Sequence, residues 1–181
     1  MIALLLTAAA LTAPATAAPL PVQLDVDAAM GMRAGGTVLA TVTPWAQLDA
    51  GVYVSVMTDL YAFAPEAVTW GLERERNLHV ATMAALGWHT AGERWSVGLY
   101  GLVGPEVVRI VESKQVPALD APVSYEHTDV ALRGGLLPTL RWQPGDRWGA
   151  NLQIMVPLPR TPTGKPALER LHLAAGVTWR L

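Results

Sequence analysis

The chain of 181 residues is 51% hydrophobic yet only 15% charged, lean in charge against the roughly 25% of a typical soluble domain. Its net charge of −2 supplies no basic face or stripe, so no nucleic-acid partner is expected. There is no cysteine, which excludes disulfides, thiol nucleophiles and cysteine metal sites, and the length suits one domain.

The chain opens with a short apolar run, Ile2 to Leu11, followed by Ala15-Thr16-Ala17 just before Ala18-Pro19. No charged side chain precedes Asp25. The apolar run is far shorter than the ~20 residues a spanning helix needs, and the small-residue site after it reads as a secretory signal peptide. The positive charge of its start is only the α-amino group. The expected division is a removed signal peptide over 1–18 and one domain over 19–181.

From Val22 the sequence alternates, and side chains of a strand point to opposite faces at each step. Val22, Leu24, Val26, Ala28, Met30 and Met32 share one face; Gln23, Asp25, Asp27, Ala29, Gly31 and Arg33 share the other. Ala34-Gly35-Gly36 predicts a tight turn, and a shorter strand follows with Val38, Ala40 and Val42 on its apolar side, ending at Pro44. A third strand sets Ala46, Leu48, Ala50, Val52, Val54 and Val56 against Gln47, Asp49, Gly51, Tyr53, Ser55 and Met57. A fourth sets Val80, Thr82, Ala84, Leu86 and Trp88 against His79, Ala81, Met83 and His89. The fifth runs from Trp95 to Val103. The sixth sets Val130, Leu132, Leu136, Leu140 and Trp142 against Asp129, Arg133, Thr139 and Arg141, with Pro138 expected to mark a bulge or bend. The seventh runs from Trp148 to Val156, and the eighth from Leu171 to Leu181. The segments Glu106 to Glu112 and Pro122 to His127 keep an extended character and continue strands five and six as a hairpin.

Eight strands result, each with an apolar face free of charge and an opposite face of small and polar residues. Size decides which face is inside. An eight-stranded barrel has an interior just wide enough for side chains to fill. Several Trp and the many aliphatic side chains do not fit there; Gly, Ala and short polar groups do. Apolar outside and polar within is the pattern of a transmembrane barrel. The connections agree, because short and long ones alternate after the second strand, as periplasmic turns and extracellular loops do. Trp45, Trp88, Trp95, Trp142, Trp148 and Trp179 lie beside a short turn or the C-terminus, where they form a ring suited to the periplasmic membrane interface. The expected fold is all-β: an eight-stranded antiparallel up-and-down transmembrane β-barrel.

On these features the chain, from about Pro21 to Leu181, resembles the small outer-membrane β-barrels of Gram-negative bacteria, of the OmpA, OmpX and OmpW type. The likeness is of architecture, not of motif. It implies an outer-membrane location, contact with membrane lipid, and recognition of the last strand, Leu171 to Leu181, by the barrel-assembly machinery. That family usually ends in an aromatic residue; this chain ends in Leu181, with Trp179 nearby to stand in for it.

The polar faces bring together a candidate lumen network of Asp25, Asp27, Arg33, Asp49, Asp129, Arg133, Arg141 and Arg180. Charges inside a narrow barrel must pair, because an isolated ion in low dielectric is too costly. Such a network plugs the lumen or gates an ion path. No cofactor or metal is expected: His79 and His89 lie roughly 30 Å apart along one strand and cannot share an ion. His127, in Tyr125-Glu126-His127-Thr128-Asp129, is the one candidate catalytic base, with Glu126 or Asp129 to orient it. No serine is placed convincingly as nucleophile, since Ser124 shares the face of Glu126. The expected role is structural, adhesive or in small-molecule passage, with the loops available to an extracellular protein partner, including by strand addition at the hairpin's edge. A lipid-modifying barrel enzyme and a soluble periplasmic lipocalin-like calyx are the competing readings.

Overall fold

The computed structural model describes residues 20–59, 72–90, 92–114, 123–158 and 170–181. The expected signal peptide over 1–18 lies outside them. Eight strands follow in chain order: β1 (Val22–Gly31), β2 (Arg33–Trp45), β3 (Leu48–Asp59), β4 (Leu72–His89), β5 (Trp95–Lys114), β6 (Val123–Trp142), β7 (Trp148–Pro157) and β8 (His172–Arg180). Each pairs antiparallel with the next, and β1 pairs with β8, from Gln23↔Arg180 to Gly31↔His172, closing the barrel. Closure leaves no free edge around the barrel wall. Backbone bonds between Val22 and Leu181 complete the seam. Among the described residues no helix is long and apolar enough to cross a membrane, so any crossing is made by strands.

The period-two pattern sets the orientation of every strand. In β1, Asp25, Asp27 and Ala29 are buried while Val26, Ala28 and Met30 are exposed. In β7, Gly149, Asn151, Gln153 and Met155 are buried between exposed Trp148, Ala150, Leu152, Ile154 and Val156. The barrel is thus inverted relative to a soluble protein: charged and polar groups inside, large apolar groups outside.

Two local expectations are corrected. The first turn is not at Ala34-Gly35-Gly36. The chain reverses around Met32, and those three residues pair with Met30, Ala29 and Ala28 on one side and Thr58, Met57 and Val56 on the other. Glycines there serve close packing of strands and not a reversal: a Cβ on Gly35 would stand 2.0 Å from the Val56 carbonyl oxygen. Pro138 makes no bulge. The β5–β6 register runs unshifted from Trp95↔Trp142 through Leu99↔Pro138 to Lys114↔Val123. The proline leaves its mark on the other side, where the β6–β7 ladder passes from Leu136↔Val156 to Thr139↔Gln153 without pairs at 137 and 138, as expected where an amide donor is missing.

The strands differ in length. β4, β5 and β6 run to 18, 20 and 20 residues against 9 or 10 for β1, β7 and β8. The expected hairpin of β5 and β6 therefore stands above the rest of the wall, with β4 paired alongside it up to Leu72↔Lys114.

Candidate functional site: the lumen and its two mouths

The lumen is packed in three layers. Nearest the short turns, Arg141 donates through Nε and Nη2 to the same Asp25 oxygen, at 3.0 and 2.8 Å, and through Nη1 to the Tyr100 hydroxyl at 2.8 Å. Tyr100 in turn donates to Asp49. Asp49 also accepts from the Thr43 hydroxyl at 2.6 Å and stands 2.8 Å from His89 Nδ1. Gln153 adds a bond to Asp25 at 3.2 Å. Arg141 and Asp25 are 2% and 0% exposed, so this is a dry, multiply bonded ion pair of the kind burial requires. Glycine makes the room for it. The Tyr100 ring lies against Gly87 and Gly98, where a Cβ would approach ring carbons to 2.3 and 3.0 Å, and the Arg141 guanidinium sits 5.4 Å from that ring's centre.

Above it is an apolar layer that includes Leu39, Tyr53, Met83, Leu102, Leu137 and Met155. Asp27 lies beside Thr37 and Asn151, and the Tyr53 hydroxyl meets His172 Nε2 at 3.0 Å.

The third layer, at the end carrying the long connections, is built around Glu106. Its carboxylate meets Arg33 at 3.3 Å, Arg133 at 3.1 Å and Arg170 at 2.8 Å. Arg33 also donates to Asp59 at 3.1 Å, which accepts from Asn77. His79 stands between the two acids, Nε2 3.1 Å from Asp59 and Nδ1 3.5 Å from Glu106. The cavity left among these residues is about 30 Å³, room for one or two waters.

Of the eight charged residues assigned to the lumen from sequence, Asp25, Asp27, Arg33, Asp49 and Arg141 are buried in it, and Arg133 reaches in to Glu106. Asp129 and Arg180 are outside. Asp129 keeps the inward side of β6, but it stands on the hairpin above the wall, with its side chain 70% exposed and 4.0 Å from His127. Arg180 is one residue from the C-terminus, past the last buried rung at Thr178, and donates to Gln143 Oε1 at 2.9 Å. Sequence reasoning missed Glu106, Asp59, Tyr100 and Arg170 as members. For three of them the signal was present: Glu106 continues the Gly98-Tyr100-Leu102 face of β5, and Asp59 continues the Tyr53-Ser55-Met57 face of β3.

The six tryptophans named above are all exposed on the outer wall at the short-turn end. Trp95 and Trp142 are cross-strand partners with ring centres 6.2 Å apart, and Trp88 Nε1 donates to Gln47 at 3.1 Å. Gln47, in the two-residue β2–β3 turn, takes a left-handed φ of 64°. At the other end the outer face of β5 and β6 stays apolar to Val107 and Val130, then becomes polar at Arg109, Thr128 and Glu126. Arg109 donates to Glu126 at 2.7 Å on that exposed surface, which holds the Glu126 carboxyl below its usual range. His127 and Ser124 fall on opposite faces of β6, so they do not converge.

No protein-family model matches the sequence, and no curated protein matches it. Solved structures do. The N-terminal β-barrel domain of Pseudomonas aeruginosa OprF aligns with a TM-score of 0.52 at 9% identity, over 89% of this chain and 97% of that one. Ail, the attachment invasion locus protein of Yersinia pestis, aligns with a TM-score of 0.52 at 10% identity, over 90% of this chain and 96% of its own. At such identity the likeness is one of fold: this chain has the eight-stranded barrel of small outer-membrane proteins.

Proposed function

We propose that the protein is exported behind the 1–18 segment, inserts in a bacterial outer membrane and serves there as a plugged anchor with a structural or adhesive role. One observation carries the reading: the barrel buries Arg141, Asp25 and Glu106 while exposing Leu, Val, Ile and Trp over its whole wall. Only a lipid surround makes that arrangement favourable. The dimensions fit. A rise of about 3.3 Å per residue and a tilt near 45° turn the twelve steps from Trp142 to Val130 into roughly 28 Å of height, close to the ~25 Å apolar band of such barrels.

The anchor, not the pore, is favoured because the lumen is filled: ion pairs close both ends and an apolar layer separates them. The hairpin of β5 and β6 rises on the opposite side from the tryptophan ring and offers its edge to an extracellular protein partner by strand addition. Ail, whose fold is shared, is named for attachment and invasion, which supports adhesion as the kind of role. Assembly would rest on the last strand, Leu171 to Leu181, as the segment read by the assembly machinery.

The test is migration on a gel, with and without boiling, of protein taken from outer-membrane fractions or refolded in detergent, followed by planar-bilayer recording. A species that resists SDS unheated, shifts on boiling and carries no steady current is expected. Protein that stays soluble without detergent would overturn the membrane reading, and a steady open-pore conductance would overturn the plug.

A further inference from the structure

The barrel's short-turn mouth holds a second cavity, of about 180 Å³, lined among others by Gln23, His89, Arg94, Trp95, Gln143 and Arg180. Its charge is one-sided. Arg94 and Arg180 contribute two guanidiniums, and among the described residues neither has a carboxylate within ion-pair distance. The acids of the neighbouring turns, Glu93 and Asp146, do not line the cavity. The nearest buried carboxylate, Asp49, is already engaged by Thr43, Tyr100 and His89. Gln143 adds an Nε2 donor that is buried with no partner among the described residues, its Oε1 having been taken by Arg180. Thr90 and Ser96 add hydroxyls to the wall.

The backbone ties together the elements that carry these donors. Thr90 N donates to Val97 O at 2.8 Å, and Val97 N donates back to the Thr90 hydroxyl at 2.9 Å, closing the β4–β5 turn. Gln143 N donates to Arg94 O at 2.7 Å, tying that turn to the end of β6. Arg180 N donates to Arg147 O at 2.8 Å, tying β8 to the β6–β7 turn. The main chain that carries the two cations is thus tied around one hollow before anything enters it, and the Arg180 guanidinium is itself held on Gln143 Oε1, which cuts part of the ordering cost of binding.

We infer that this mouth binds a phosphate-class oxyanion. A planar carboxylate is satisfied by one guanidinium fork, whereas donors arriving from two arginines, an amide and two hydroxyls suit a tetrahedral anion. The volume is below the roughly 300 Å³ of drug-sized sites and suits a headgroup or a free ion. Exposed Trp95 and Trp142 stand beside it, so under the membrane reading the cavity lies at headgroup depth, and a membrane phospholipid is one source of the phosphate; free phosphate is the other. Only the choice of source rests on that reading.

The experiment uses the whole chain refolded in a maltoside detergent, free of phosphate. Inorganic phosphate is titrated by phosphorus NMR line broadening, and a short-chain phosphatidylglycerol by native mass spectrometry. Wild-type protein is expected to bind at least one of the two saturably. The Arg94→Gln/Arg180→Gln pair should weaken that binding at least about tenfold, while the corresponding pair of Lys substitutions retains most of it. Arg109→Gln, on the raised hairpin at the opposite end of the barrel, should leave it unchanged. The boiling shift checks that each variant has folded. Binding of the lipid alone identifies a headgroup site and binding of phosphate as well identifies a free-anion site; both support the inference. Binding of neither by the wild type, or equal binding by wild type and the Gln pair, overturns it. If the wild type proves soluble without detergent, the membrane reading falls by itself, and the phosphate titration in plain buffer still decides the site.

Discussion

Arg141 carries its charge into a place almost closed to water, and its guanidinium reaches Asp25 on β1 and Tyr100 on β5 at once. Removing one partner of such a pair strands the other, at a cost of about 3–5 kcal/mol, whereas replacing both by apolar groups of similar volume is often neutral. Arg141→Met is therefore expected to lower stability by about that amount, and Asp25→Leu added to it to restore a large part. Urea unfolding of lipid-refolded protein reads the cycle; strictly additive losses would show that the pair is not coupled. Gly87 gives a second prediction at this scale. A Cβ there meets the Tyr100 ring and the Leu99 carbonyl oxygen, while a Cβ on Gly145, in the β6–β7 turn, would meet none of the described residues within 4 Å apart from its chain neighbours. Gly87→Ala should cost about 1–3 kcal/mol by overpacking and Gly145→Ala essentially nothing, as compared by the same unfolding curves. Equal effects would mean that Tyr100 moves freely and does not hold the lower layer together. Single residues were also where sequence reading was weakest. Arg180 and Asp129 have the parity of lumen residues, but parity gives a side chain's direction and not whether the wall still encloses it at that height.

A strand of a barrel meets three environments along its length, and β6 shows all three. Its outward residues pass from Trp142 at the short-turn end through Leu140 and Leu136 to Leu132 and Val130, then to Thr128 and Glu126 on the raised hairpin. The cost of an arginine on the lipid face is about 2–4 kcal/mol at mid-depth and about 0–1 kcal/mol near the interfaces. Leu136→Arg is therefore expected to destabilise by the larger amount, Val130→Arg by the smaller and Thr128→Arg not measurably, in urea unfolding from lipid vesicles. Equal costs at the three positions would contradict the depth assigned to this strand. The alternation that predicts this series was legible in sequence for all eight strands, because one face of each is chemically uniform. Turns were less legible. Ala34-Gly35-Gly36 has the composition of a reversal, yet in a tightly packed wall the same residues let backbones approach, and the chain turns at Met32 instead. Pro138 has no amide to donate, and only the pairing with β7 shows where that donor is missed.

At the scale of the whole molecule, the closed wall and the raised hairpin are separable structures. Closure depends on the β1–β8 seam and on pairings that end near Arg33↔Asp59, Gly31↔His172 and Gly135↔Pro157. Above those levels β5 pairs on one side with β6 and on the other with the upper part of β4. The inside-out wall was legible from sequence because volume forbids the alternative. The three-layered lumen was not, since it depends on which inward residues of non-adjacent strands meet: Asp25 with Arg141, Glu106 with Arg33. Separability predicts what shortening the hairpin does. Val108 and Asp129 are cross-strand partners, so residues 109–128 can be replaced by Asn-Gly, a two-residue reversal whose twist suits the flanking strands. Glu106 and its arginines lie below the cut and keep their contacts. The shortened protein is expected to refold, resist SDS unheated and shift on boiling like the full chain, while any binding of cells to a surrounding matrix that the full chain confers is lost. A shortened chain that fails to fold would show that the hairpin belongs to the wall and not to what the wall displays. A shortened chain that folds and still confers adhesion would move the contact to the other connections, at the same end of the barrel.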